Sequence, residues 1–165
     1  MGNEIKLLYC VPDFVAHQVA RKNLSQIKTE YRLNIRLKCV SDLADLYIEL
    51  KRNSYDIIII HDNVEKKDDG EKISDDCKRA ASNEPLLILE SNSFYFDSKS
   101  DVLKHFDDYS NSIVKDGVLE ELLLKHNLIG KGQKNTTYLQ YIAEIKGDRE
   151  IFDKIFAEDI PHNQE

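Results

Sequence analysis

No apolar segment of this 165-residue chain approaches the roughly 20 residues that a membrane-spanning helix requires. The amino terminus also lacks the apolar core of a secretion signal, so a cytoplasmic location is expected. A basic face is missing too: 23 Lys and Arg are spread among 30 Asp and Glu, for a net charge of −7. Such a chain repels polyanions, and neither nucleic acid nor an anionic membrane is expected as a partner. Cysteine is scarce. Cys10, Cys39 and Cys77 lie far apart, with none of the paired spacing of a zinc site, and their odd number argues against a disulfide framework. They read as reduced structural thiols, two of them inside strands. No glycine-rich first turn and no nucleophile elbow appear, so the sequence offers neither a phosphate cradle nor an activated serine. Gly130-Lys131-Gly132 with Thr136 and Thr137 follows a helix and lacks the order of a phosphate loop, which leaves it as a linker.

What the chain does have is Tyr55-Asp56-Ile57-Ile58-Ile59-Ile60-His61-Asp62, four isoleucines running into a histidine and a carboxylate. Consecutive β-branched residues suit a strand buried on both faces, as in the middle of a helix-covered parallel sheet. Ile5 to Val11, closed by Pro12, reads as a first buried strand, and Leu86 to Leu89 as a fourth. Leu33, Ile35, Leu37 and Cys39 alternate with polar residues, which marks an edge strand with one wet face. Ile113 and Val114 make a minimal fifth strand. Between the strands, helical stripes are expected at Val15, Val19, Leu24, Ile27 and Tyr31, then at Leu43, Leu46, Tyr47 and Leu50 behind a Ser41 cap. Further stripes fall at Ile73, Cys77 and Ala80 or Ala81, at Val102, Leu103 and Phe106, and from Val118 to His126.

Strand and helix thus alternate five times, which predicts an α/β fold with a doubly wound five-stranded parallel sheet in the order 2-1-3-4-5. That domain is expected over residues 1–128. Residues 129–165 then form a linker and a helical extension, with Tyr138, Leu139, Ile142 and Ile145, then Ile151, Phe152, Ile155 and Phe156, at helical spacing. Its apolar stripe must dock on the sheet domain, on a second copy or on a partner.

From residue 4 to about 128 the order of elements resembles the receiver domain of two-component response regulators. The resemblance is carried by Asp107-Asp108-Tyr109, by Ile113-Val114-Lys115, and by Val118-Leu119-Glu120-Glu121-Leu122-Leu123. These match an acidic-acidic-tyrosine turn, a short strand ending in lysine, and a helix opening with Leu-Glu-Glu-Leu. The family carries a phosphoryl acceptor aspartate at the end of the third strand, assisted by Mg2+. Counting back from Asp69-Gly70 puts Asp62 at that position, and counting forward from Asp56 puts His61 there; Asp62 is preferred because a carboxylate serves both as acceptor and as metal ligand.

The resemblance implies Asp13 and Asp62 as metal ligands, with Pro12 replacing the other acid of the usual pair. Lys115 matches the lysine that pairs with the phosphoryl oxygens, and Ser91 or Glu90 holds the place of the hydroxyl that contacts them. Ser91 suits that task, whereas Glu90 repels phosphate. Asp116 stands where the family has proline, and Ser112 where it has an aromatic switch residue. The expected function is that of an atypical receiver-like signalling domain acting through protein contacts, with phosphoacceptance at Asp62. A protein partner or a homodimer, and a histidine kinase as phosphodonor, are the implied partners. The alternative is a small flavodoxin-like enzyme or nucleotide-binding protein using His61, Asp62 and Glu90 at the strand ends. His61 also reads as a histidine bonded to its own loop, and His17, His105, His126 and His162 as exposed. Phe94, Tyr95 and Phe96 read as local packing or as part of a contact face.

Overall fold

The computed structural model describes residues 4–64, 70–91 and 104–130. Residues 65–69 and 94–96, Val102, Leu103, His162 and the expected helical extension beyond Gly130 lie outside them.

Five strands form one sheet: β1 (Ile5–Cys10), β2 (Ile35–Val40), β3 (Ile57–His61), β4 (Leu86–Glu90) and β5 (Asp108–Ser110), in the order β2-β1-β3-β4-β5 with every neighbour parallel. The isoleucine run is the middle strand. Its alternate side chains divide between two cores. Ile57 and Ile59 join Leu7, Tyr9, Val11 and Ile88 under α1 (Phe14–Tyr31) and α4 (Val118–Lys125). Ile58 and Ile60 join Leu8, Cys10, Leu87 and Leu89 under α2 (Leu43–Arg52) and α3 (Gly70–Ala80). The expected class and strand order are those observed. The β2 edge shows the alternation read from its sequence, with Arg36 and Lys38 exposed.

Several local expectations are corrected. The α1 stripe is His17, Ala20, Leu24, Ile27 and Tyr31, and Val15 is 62% exposed. The step from Val19 to Leu24 turns about 140° around the helix, so a stripe through Val15 and Val19 leaves the buried face. His17 is buried rather than exposed, because its Nε2 donates to the Val11 carbonyl at 2.7 Å and its ring meets Phe14 edge-on. The α2 cap is Asp42, not Ser41, since the Asp42 carboxylate accepts from the Asp45 N–H at 2.8 Å.

The fifth strand is Asp108–Ser110, not Ile113–Val114. It pairs with Ile88, Leu89 and Glu90, so the acidic pair and tyrosine lie at and within a strand rather than in a turn. A buried carboxylate disguised this strand. Asp108 is held by Lys125 and His126, each 2.8 Å from Oδ2, while Oδ1 accepts the Tyr109 N–H at 2.8 Å. His126 is therefore half-buried and bonded, not free on the surface. His105 is half-buried as well. Ile113 is fully buried, but as the anchor of the loop after β5, among the residues of the α1 and α4 core. Ile129 packs into that same core.

Burial pushes the thiols of Cys10 and Cys77 up to about 12 and raises that of Cys39 as well. All three are free. They stay protonated at neutral pH, which fits inert structural thiols.

Ile59→Ala should cost about 2–5 kcal/mol of stability in chemical denaturation, because it opens a cavity in the middle of the sheet; a cost under about 0.5 kcal/mol would contradict two-sided burial of β3. Asp108→Asn should cost about 1–3 kcal/mol at pH 7, since it removes a buried charged partner of Lys125 and His126. Burial raises the proton affinity of Asp108, but Lys125, the Tyr109 N–H and His126 more than offset it, leaving its pKa below the usual carboxylate value. The stability it supplies is present above the unfolded value near 3.9 and is lost as pH falls through the lower folded value. Wild type and Asp108→Asn should thus converge below about pH 3, and a gap constant from pH 7 to pH 2 would contradict this.

Candidate functional site

The parallel sheet brings the ends of β1, β3 and β4 to one edge, where this class of fold presents its ionisable groups. β1 continues through Val11 to Pro12 and Asp13. Asp13 is exposed and caps α1, its Oδ1 accepting the Val15 N–H at 2.9 Å. β3 ends on His61, which lies opposite Glu90 in the ladder to β4. Asp62 begins the short 3-10 turn Asp62–Val64 that follows. His61 is buried, whereas the Asp62 side chain is 41% exposed, and its Oδ1 lies 3.2 Å from His61 Nδ1. The two ways of counting to an acceptor thus meet adjacent residues in different settings, one inside the strand end and one on its rim.

Glu90, which reads from the sequence as a poor stand-in for a phosphate-contacting hydroxyl, has a structural setting of its own. It completes β4 and is 0% exposed. The Tyr9 hydroxyl donates to both of its oxygens, at 2.7 Å to Oε1 and 2.9 Å to Oε2, and the Ile113 N–H donates to Oε2 at 2.6 Å. Tyr9 and Glu90 stand on strands either side of β3, so this bond crosses the central strand. Burial raises the proton affinity of Glu90. The Tyr9 and Ile113 hydrogen bonds and the nearby His61 work against that, and the charge of Asp62 adds to it, with a net upward shift. The Tyr9 hydroxyl is driven far up, by burial first and then by the Glu90 charge. The signal in the sequence was a tyrosine in a buried strand, whose hydroxyl requires a partner.

Ser91 follows Glu90 and is buried, and its N–H donates to the Ser110 carbonyl at 3.0 Å. Lys115 is exposed in the turn before α4, where its Nζ donates to Asn111 Oδ1 at 3.2 Å. Ser112 is buried, and its Oγ accepts the Val114 N–H at 3.4 Å. Asn23 of α1 donates to the carbonyls of Ile113 and Val114, at 3.1 and 3.3 Å. The loop between β5 and α4 is therefore held from both sides, by Glu90 at an N–H and by Asn23 at two carbonyls. Gly117 closes it at φ +80°, a left-handed conformation that favours glycine, directly before α4.

Among the described residues no three His, Cys, Asp or Glu side chains lie close enough together to hold a metal ion. Asp13 and Asp62 follow the ends of adjacent strands, each with an oxygen engaged by a neighbouring group, and Pro12 brings no side-chain ligand. By themselves these residues do not complete the octahedral oxygen shell of Mg2+, which usually keeps several waters beside one or two carboxylates. Nor can Glu90, fully buried, touch a ligand in this conformation. No helix among the described residues is long and apolar enough to cross a membrane.

No protein-family model matches the chain, and no curated protein does. Solved structures do match. The receiver domain (CheY-like) of a response regulator from Methylobacillus flagellatus superposes with a TM-score of 0.61 at 14% identity, over 74% of this chain and 98% of that one. The receiver domain of the Francisella response regulator 1452 gives 0.55 at 21% identity, over 75% and 94%. The receiver domain of the sensor histidine kinase PA1611 from Pseudomonas aeruginosa PAO1, which has a magnesium ion coordinated in its active-site cleft, gives 0.58 at 18% identity, over 74% and 97%. Likeness of this extent, in strand order and in length, identifies the described part of the chain as a domain with the response-regulator receiver fold.

Proposed function

We propose that this chain is an atypical receiver-like signalling domain that works through protein contacts. The observation that carries the reading is the pairing of His61 with Glu90 at the ends of β3 and β4, within a receiver fold. On the count forward from Asp56, the strand-end acceptor place falls to His61 and the hydroxyl place opposite to Glu90, a buried imidazole and a buried carboxylate. Burial keeps both away from an incoming phosphodonor, and the carboxylate repels a phosphate. A protein that keeps such a fold while filling its reaction site with structural groups has its surface left for function.

The surface best suited to a contact lies between β5 and α4. A groove of about 470 Å3 there is lined by Tyr109, Asn111, Val118, Glu121, Leu122 and Lys125. Among the described residues β5 pairs only with β4, and residues of its outer edge line this groove. The occupant is a protein, either a second copy of the chain or a different partner. A photo-crosslinking residue in place of Tyr109 should give protein adducts in native extract or in the purified chain, while the same residue in place of Lys51 on α2 should not. Equal adducts at both positions, or none at either, would overturn this reading.

A second reading, phosphoacceptance at Asp62, is favoured by the exposure of that carboxylate at the strand edge. Incubation with acetyl phosphate and Mg2+ should then add about 80 Da, the mass of one phosphoryl group, in wild type and not in Asp62→Asn. An unchanged mass, or a gain that persists in Asp62→Asn, would refute phosphoacceptance there and leave the first reading standing.

A further inference from the structure

The carboxylate of Glu90 joins three parts of the molecule that are far apart in sequence. It belongs to β4, it is gripped by a hydroxyl from β1, and it grips an N–H of the loop that leads from β5 into α4. A fully buried carboxylate is costly to desolvate, and breaking one of its few hydrogen bonds strands the charge. Its acceptors therefore hold their donors firmly. The Ile113 N–H contact, at 2.6 Å, is short for a bond from a backbone N–H and belongs to the stronger, charge-assisted class. The loop gains its other fastening from Asn23 of α1, through the carbonyls of Ile113 and Val114.

We propose that Glu90 is a built-in latch: a resident anion inside the sheet edge that fixes the loop of residues 111–117, and with it the start of α4, in one setting. The setting of this loop depends on a group inside the protein and not on an anion arriving from outside. Charged and titratable groups face the latch from each neighbouring element. Tyr9 donates from β1, His61 attracts from β3, and Asp62 opposes from the turn after β3. Asp13, at the start of α1, acts on the Tyr9 hydroxyl. Negative charge at Asp62 favours the protonated form of Glu90, and a protonated carboxyl is the weaker acceptor for the Ile113 N–H. The functional consequence rests on the proposed contact face, because the loop leads from β5 into α4 along its rim; the latch itself does not.

Amide hydrogen exchange on the full chain tests the latch without reference to any partner. Glu90→Gln removes the charge at nearly constant volume, and Tyr9→Phe removes the hydroxyl donor. In Glu90→Gln the Ile113 amide should exchange about tenfold faster than in wild type, the fold-change for a lost charge-assisted bond. The amides of Ile58, Ile59 and Ile60 should stay within about twofold. Tyr9→Phe should shift the Ile113 amide in the same direction by a smaller factor. Equal acceleration of Ile113 and the β3 amides in both variants would make Glu90 an ordinary core residue and overturn the proposal. An Ile113 amide unchanged in both would overturn it as well.

Discussion

Two-sided burial of β3 is the constraint from which the rest of the structure follows. Ile57 and Ile59 seal one core and Ile58 and Ile60 the other, so the strand has no polar side and must sit mid-sheet with helices on both faces. Once β3 is central, β1 and β4 are its neighbours and their carboxyl ends come to the same edge. Tyr9 and Glu90 then face the same core from opposite sides of β3. A bond between a tyrosine and a glutamate 81 residues apart is thus a consequence of sheet order.

The edge so formed carries charges of two kinds. Its exposed charges, Asp13, Asp62 and Lys115, are engaged by near neighbours along the chain. Its one deeply buried carboxylate is engaged by donors far away in sequence. Local contacts of exposed charges are cheap to break, whereas the buried contacts are not. The rim is therefore adaptable and the interior set. The proposed role in surface contacts draws on this contrast, with the β5 to α4 loop held from within.

The fold was legible because its signals are long and redundant. An isoleucine run, an alternating edge strand and two further apolar runs mark four of the five strands and fit the observed order, whereas the fifth, Asp108–Ser110, carries no such run. What stayed hidden was satisfied polarity in buried places. Asp108 reads as a turn residue until Lys125 and His126 are seen on it. His17 reads as exposed until Val11 offers its carbonyl. Glu90 reads as an ill-suited substitute for a hydroxyl until Tyr9 and Ile113 close around it. Each pairing spans a distance that periodicity does not encode, and a polar residue carries no mark of the partner that permits its burial. Asp13 and Asp62 were legible as edge residues from the ends of the first and third strands, while Lys115 reads as closing a strand that in fact ends five residues earlier, at Ser110.

The central claim is that Glu90 is a buried anion whose state is felt at Ile113. The most direct measurement is a carbon-13 NMR titration of the Glu90 carboxyl, followed together with the Ile113 amide across pH. The account predicts a Glu90 midpoint above the ordinary value of about 4.5, with the Ile113 amide moving at that same midpoint. A midpoint at or below that value, or an Ile113 amide that ignores it, would contradict the account.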